Sequence, residues 1–147
     1  DERHHLKVHP KFCAIFTSNP EEYAGTHKAQ DALRDRMVTM DLDYFDRKTE
    51  TEITQAKSGL SKEDARKIVD IVRGLRKNNP CEFMPTVRSC IALAKTVGIN
   101  GGKVSAEDKI FRELAQDILV SQTTRSPWSP KRKEIEELVE NLIKKYC

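Results

Sequence analysis

Apolar residues recur with a helical period through most of the chain after residue 46. The clearest stripe has spacings of i, i+3, i+4, i+7 and i+10, which are typical of one face of an amphipathic helix: Ala65, Ile68, Val69, Val72 and Leu75. Comparable stripes run through residues 87–97, 110–119 and 135–146. The pattern predicts a helical domain over residues 47–125, followed by a linker and a C-terminal amphipathic helix over residues 126–147.

Polar residues with capping chemistry divide this region into helices, because a side-chain oxygen can accept from the first free N–H groups of a helix. The predicted helix starts are Thr49-x-x-Glu52, Ser61-x-x-Asp64 and Ser105-x-x-Asp108, with Pro85 at the first position of a further helix. Gly59 is predicted to end the first helix, since glycine readily adopts the left-handed conformation common at helix ends.

Before residue 47 the pattern changes to short apolar runs. Residues 12–17 are almost continuously apolar, as in a strand covered on both faces, and residues 37–42 form a second, partly alternating run. Two short strands do not make a stable sheet alone, so we expect the rest of the sheet to come from residues upstream. The predicted fold class is mainly α with a short β part, and residues 1–46 form the edge of an α/β core.

Net charge, the length of the apolar runs and the spacing of the cysteines narrow the partners and the cellular compartment expected for this chain. The 26 Lys and Arg against 23 Asp and Glu leave a net charge of +3, too small to make nucleic acid the expected partner. No run approaches the roughly 18 apolar residues that a membrane-spanning helix needs. The four cysteines form no Cys-x-x-Cys pair, so we expect no metal site and a reducing cytoplasm, with a disulfide left open.

Four polar residues stand where an α/β protein could bind a ligand. Asn19 ends the first apolar run, Arg34 and Arg36 lie at a helix-to-strand junction, and Arg88 begins a helix. An amide at the end of a buried strand points to the ligand crevice of such sheets, and an arginine fork suits phosphate oxygens. Singly, each also has a structural explanation: Asn-Pro turn chemistry, a solvated surface pair and a snorkelling arginine.

Taken in order, these features resemble the second half of an AAA+ ATPase module. The segments that carry the resemblance are His9-Pro10-Lys11-Phe12, Phe16-Thr17-Ser18-Asn19-Pro20, Tyr23-Ala24-Gly25, Ala32-Leu33-Arg34-Asp35-Arg36-Met37 and Pro85-Thr86-Val87-Arg88. They are similar to the MoxR-type branch, and the string from Val8 to Leu33 is more similar still to its gas vesicle ATPases. The resemblance spans residues 8–122 and implies the C-terminal edge of an AAA+ core followed by the helical lid domain.

The resemblance also implies roles for the four residues. Asn19 matches the sensor-1 residue that polarises the attacking water, and Arg88 matches sensor 2, which contacts the nucleotide of its own subunit. Arg36 matches the arginine finger that reaches a neighbouring subunit's nucleotide, with Arg34 as the second candidate. The implied cofactors are ATP and Mg²⁺, bound mainly by an upstream half, because the phosphate loop and Walker B acids are not in these residues.

By the same resemblance, the whole protein is an ATP hydrolase that self-associates into a ring. It would couple hydrolysis to gas vesicle assembly or to remodelling of gas vesicle proteins, in the cytoplasm or at the vesicles. Because the chain begins with Asp1, we expect a processed protein or part of a longer one. Because the phosphate loop and the Walker B acids are not in these residues, we expect the chain by itself to be inactive. The alternative from the residues alone is a non-catalytic helical protein-interaction module.

Overall fold

A computed structural model describes residues 7–17, 35–78 and 80–147 of the chain. The chain divides into two units, Asp1–Leu42 and Asp43–Cys147. The helices of the described residues all lie in the second unit: α1 Arg47–Ser58, α2 Lys62–Asn78, α3 Val87–Ile99, α4 Lys109–Thr123 and α5 Arg132–Tyr146. The prediction of a mainly α protein is therefore confirmed for the described residues.

Helix α2 lies at the centre of the second unit, where it packs against α1, α3 and α5, while α4 packs against α3 and α5. The apolar stripe predicted for α2 is buried in full, together with Ile71. Helix α5 contributes Ile135, Val139 and Ile143 to the same core. Burying each large aliphatic side chain contributes about 1.5–3 kcal/mol, so this core holds the helices in place.

The predicted start of α1 at Thr49 is wrong by three residues, because Asp46 caps the helix instead. The Asp46 carboxylate accepts from the N–H groups of Lys48 at 2.9 Å and Thr49 at 3.1 Å. The Thr49 hydroxyl donates to the same carboxylate at 2.6 Å, so it supports the cap from inside the helix. The predicted end is confirmed, since Gly59 has a φ of 76° directly after Ser58.

The other predicted starts are shifted or confirmed for similar reasons. The Ser61 hydroxyl accepts from the Asp64 N–H at 3.1 Å and confirms the start of α2. The predicted first residue of α3 is Pro85, but the helix begins two residues later at Val87, because Thr86 caps it. Asp108, not Ser105, caps α4, because its carboxylate accepts from the Phe111 N–H at 2.9 Å. In each shifted case the stronger local acceptor sets the boundary.

The strands predicted at residues 12–17 and 37–42 are not confirmed, because both runs have irregular backbone. Their large apolar side chains are exposed, among them Phe12, Ile15 and Leu42. A strand is held by hydrogen bonds to a neighbouring strand. No strand pairing occurs among residues 7–17, 35–78 and 80–147, and the two runs therefore lack the partners that would order them.

Candidate functional site at the start of α3

The four predicted site residues are placed unevenly by the structure. Asn19 and Arg34 lie outside the described residues. Arg36 belongs to the first unit, where it is exposed in a turn, and Arg88 belongs to the second unit. Among the four, only Arg88 therefore lies in a described helix.

Arg88 stands in the first turn of α3, which is fixed by a capping box. The Thr86 hydroxyl accepts from the Arg88 N–H at 3.2 Å, and the Ser89 hydroxyl accepts from the Thr86 N–H at 3.3 Å. Ser89 and Cys90 are buried in the unit, whereas Arg88 between the cap and these residues is exposed. The register of α3 thus presents Arg88 to solvent at the helix start.

This arrangement suits an anion. A helix N-terminus carries partial positive charge and free N–H groups, and the guanidinium adds a full charge with a planar donor fork. Among the ion pairs of the described residues, none involves Arg88. The same holds for Arg36, so the described carboxylates leave both arginines available for a phosphate group.

A buried charged cluster in the second unit was missed by the sequence analysis. The Glu50 side chain is only 1% exposed and accepts from Arg73 at 2.9 Å and from Arg76 at 2.5 Å. Arg76 also lies over the Tyr44 ring, 4.4 Å from its centroid, and Arg73 donates to the Phe45 carbonyl at 3.1 Å. The cluster fastens the segment before α1 onto α2.

The sequence carries two helical spacings that point to this cluster but do not show that it is buried. Glu50 and Thr54 are one turn apart on the buried face of α1, and the Thr54 hydroxyl donates to the Glu50 carbonyl at 2.7 Å. Arg73 and Arg76 have the i, i+3 spacing that places two side chains on one face of a helix. The sequence contains both pairs, but their burial against one another depends on the packing of α1 on α2.

The cysteines of the second unit lack the character of nucleophiles. Burial raises the pKa of the Cys90 thiol to about 12 and that of the Cys147 thiol to about 11, and it also raises the pKa of Cys81. The reactive thiolate is therefore scarce at neutral pH. Within the described part of the chain, no group of three or more His, Cys, Asp or Glu side chains is arranged to hold a metal ion.

The helices of the described residues are also too short or too polar to cross a membrane. An open groove between α4 and α5 is lined by polar side chains, among them Gln116, Glu137 and Glu140. Its acidic lining does not suit a phosphate group, because like charges repel. Among the described residues of the second unit, the start of α3 is therefore the candidate site that we consider further.

Comparison with known proteins identifies relatives of the chain, although no family model matches it. The gas vesicle ATPase GvpN of Ancylobacter aquaticus is 43% identical over 121 residues, which are 82% of this chain and 34% of that protein. GvpN of Haloferax mediterranei is 35% identical over 143 residues, or 94% of this chain and 39% of that protein.

A putative chaperone, BssE of Thauera aromatica, is 26% identical over 125 residues, or 82% of this chain and 44% of that protein. The chain thus spans 34% and 39% of the length of the two GvpN proteins. These matches confirm the resemblance drawn from the sequence motifs. The chain belongs to the gas vesicle ATPase GvpN family and matches the carboxyl-terminal part of its members.

Proposed function

We propose that this chain is part of an AAA+ ATPase that couples ATP hydrolysis to gas vesicle assembly or to remodelling of gas vesicle proteins. The observation that carries the proposal is the 43% identity to a gas vesicle ATPase over 121 residues. In this proposal the helical unit is the lid of the ATPase, and the first unit is the edge of its α/β core. The strands of that edge would form only against the remaining strands of the core.

In this proposal Arg88 contacts the nucleotide, and it is the proposed site residue that lies in a described helix. Its exposure in the first turn of α3, without a described carboxylate partner, fits a contact to a phosphate oxygen of ATP. Bound ATP supplies the phosphoryl group that is transferred to water. As the family resemblance implies, we assign the Mg²⁺ ligands mainly to the half of the ATPase upstream of this chain, because the phosphate loop and the Walker B acids are not in these 147 residues.

The remaining roles follow the sequence motifs. Asn19 orients the attacking water in its own subunit, and Arg36 stabilises charge on a neighbouring subunit's nucleotide, with Arg34 as the alternative finger. A finger supplied by a neighbour makes hydrolysis depend on self-association. The chain alone would not hydrolyse ATP, because these 147 residues contain no phosphate-binding Gly-x-x-x-x-Gly-Lys-Ser/Thr loop.

The decisive experiment replaces Arg88 with alanine in the full-length ATPase. A charged hydrogen bond to phosphate contributes about 1.5–3 kcal/mol, so the ATP concentration for half-maximal hydrolysis should rise roughly 10-fold or more. Arg66→Ala is the matched control, since Arg66 is also exposed on this unit but stands on α2. Both proteins would be checked for unchanged thermal unfolding.

Mixing experiments then distinguish a contact within the subunit from one between subunits. Because Arg88 would serve its own subunit, activity in mixtures should follow the fraction of wild-type subunits. Unchanged ATP affinity and rate in Arg88→Ala would contradict the proposed contact. Absence of ATP hydrolysis by the wild-type full-length protein would contradict the ATPase proposal itself and favour the helical interaction module.

A further inference from the structure

The loop between α4 and α5 exposes the chain's single tryptophan. The Trp128 side chain is 90% exposed, and Phe83 in the neighbouring loop before α3 is 44% exposed. Tryptophan is a residue type that folded proteins usually bury to a large extent. An indole left in water on a folded unit is a candidate anchor for a partner, since Trp is enriched among the residues that dominate binding energy.

The two loops that carry these aromatic rings are fastened to each other. The Thr123 carbonyl accepts from the N–H groups of Glu82 at 2.9 Å and Phe83 at 3.2 Å. The Glu82 carboxylate accepts from the Arg125 N–H at 2.7 Å, and the Arg125 guanidinium lies 5.7 Å from the centre of the Phe83 ring. The exposed rings therefore stand on a framework that is already formed before binding.

Turn chemistry on either side of Trp128 adds to this order. The Ser126 hydroxyl accepts from the Trp128 N–H at 3.3 Å, and the Ser126 carbonyl accepts from the Ser129 N–H at 3.1 Å. Pro127 lies within this turn and Pro130 directly follows it, and each proline restricts its own φ angle. A pre-ordered loop loses little entropy on binding, which favours affinity.

The segment that carries Trp128 is basic in sequence. Residues 124–133 contain four basic side chains and no acidic one. Arg132 is paired with Glu136 at 2.8 Å, whereas Arg125, Lys131 and Lys133 are exposed. The nearby Glu82 carboxylate already accepts a hydrogen bond from the Arg125 N–H. This bond lowers the pKa of Glu82 below its ordinary value, and Ser129 and Lys131 add to the effect.

We propose that Phe83, Arg125, Trp128 and Lys131, here called the Trp128 surface, bind an acidic segment of a partner protein that carries apolar side chains. The partner's carboxylates would pair with Arg125 and Lys131 while an apolar side chain covers the indole. Charge complementarity selects an acidic segment over a basic one. None of these four residues has a role in the proposed ATP hydrolysis, so the proposal holds whether or not the whole protein hydrolyses ATP.

A protein segment suits this surface better than a lipid bilayer. Stable attachment to a bilayer needs an apolar face of several side chains along an amphipathic helix. The Trp128 surface offers two aromatic side chains on a folded loop, and Phe83 is only partly exposed beneath the Arg125 guanidinium. A small aromatic surface of this kind is typical of the residues that anchor one protein to another.

The single tryptophan makes the test direct. The intrinsic fluorescence of the 147-residue chain would be followed during titration with a synthetic peptide of alternating Glu and Leu. A shift of the emission to shorter wavelength is expected as the indole leaves water. A peptide of alternating Lys and Leu should cause no shift, because the surface is basic.

Variants assign the binding to this surface, with affinity measured by calorimetry so that the probe itself can be replaced. Trp128→Ala should weaken binding of the acidic peptide about 10-fold or more, as expected for an anchor. Lys131→Glu should weaken it several-fold through charge reversal. Lys95→Glu is the control, because Lys95 is also exposed but stands on α3, and it should leave the affinity within about 2-fold.

Several results would overturn the proposal. These are unchanged affinity in Trp128→Ala, an equal response to the basic peptide, and no response to the acidic one. A shift caused only by phosphatidylglycerol vesicles would assign the surface to lipid instead. Emission from the free chain that moves to shorter wavelength with rising protein concentration would mean that a second copy covers Trp128.

Discussion

At the scale of single residues, the most consequential side chain of the second unit is Glu50. It is 1% exposed and serves two arginines, of which Arg76 is itself only 10% exposed. By contrast, the Lys109–Glu113 pair is largely exposed at 3.6 Å and contributes at most about 1 kcal/mol. Removing a buried partner is more costly than removing an exposed one, because it leaves an uncompensated charge without water.

Glu50→Gln should therefore destabilise the chain by about 3 kcal/mol or more, since both arginines lose their counter-charge while the side-chain volume is retained. Urea unfolding followed by circular dichroism measures the change. Glu52→Gln is the matched control, because Glu52 lies on the same helix but is exposed. Equal stability of the two variants would mean that the Glu50 cluster does not hold α1 on α2.

At the scale of elements, helix ends and helix contacts decide the order of the unit. Asp108 caps α4, and its carboxylate also accepts from the Lys103 N–H at 3.0 Å, so one side chain fixes both the helix start and the preceding loop. Gly74 lets α5 approach α2 closely, because a Cβ atom there would lie 2.5 Å from Leu142 Cδ2. The Asp108 cap predicts that the stability of the unit depends on pH. The Gly74–Leu142 contact predicts that changes at these two positions have non-additive effects on stability.

Asp108 should make the stability of the unit depend on acidic pH. Hydrogen bonds from Phe111 and Lys103 lower its pKa below the ordinary value of 3.8. The carboxylate therefore stabilises the folded state above pH 3.8, and this contribution is lost as the pH falls through the lower folded-state pKa. In Asp108→Asn the Tm should be lower at neutral pH, and the difference from wild type should shrink as the pH falls below 3.8.

The control for this prediction is Asp117→Asn, which changes an exposed aspartate on the same helix. Thermal unfolding of all three proteins across this pH range provides the comparison. A Tm difference between wild type and Asp108→Asn that stays constant as the pH falls below 3.8, until wild type unfolds, would contradict the cap as the source of the pH dependence.

The effect of Gly74→Ala on the free energy of unfolding should depend on whether the Leu142 side chain is present, because the two residues are in contact. In the wild-type background Gly74→Ala should be neutral or destabilising, because overpacking of about 1–3 kcal/mol opposes a gain in helix propensity of about 1 kcal/mol. In a Leu142→Ala background the clash is gone, and the same change should stabilise the chain. Urea unfolding of the four proteins gives the coupling energy, and additive effects would mean that the two helices do not meet there.

At the scale of the whole molecule, the proposed ATPase draws on residues from both units and on residues outside the chain. Arg36 lies in the first unit and Arg88 in the second, while Asn19 and Arg34 lie outside the described residues. The roles proposed for these residues are separable, because a water-orienting group acts within one subunit whereas a finger acts across two. Hydrolysis and binding measured side by side therefore distinguish them.

In the full-length protein, Asn19→Ala should lower the rate of ATP hydrolysis by about 10²–10³-fold with ATP binding nearly intact, because one preorganised polar group is lost. A parallel loss of ATP binding would instead assign Asn19 a structural role in the turn.

Arg36→Ala should lower the rate of ATP hydrolysis by about 10³–10⁵-fold, and a mixture with a variant defective in its own phosphate loop should regain partial activity. Arg34→Ala is the comparison and should have the smaller effect. A larger loss in Arg34→Ala would assign the finger to Arg34, and activity independent of protein concentration would contradict the ring.

Periodicity in the sequence by itself determined the helices of the second unit, because i, i+3 and i+4 spacing is a local property of the chain. The α2 stripe is buried as predicted, and Gly59 ends α1, since both depend on neighbours within one or two turns. The motifs around Asn19, Arg36 and Arg88 likewise identified the family from residues that lie close together in sequence.

Only the tertiary structure decided which polar groups are buried and which apolar ones are not. Glu50 is buried because α1 packs against α2, which brings Arg73 and Arg76 to it from more than 20 positions away in sequence. Trp128 is exposed because no described element covers its loop. The runs at residues 12–17 and 37–42 show the same dependence, since an apolar run becomes a strand only when another strand pairs with its backbone.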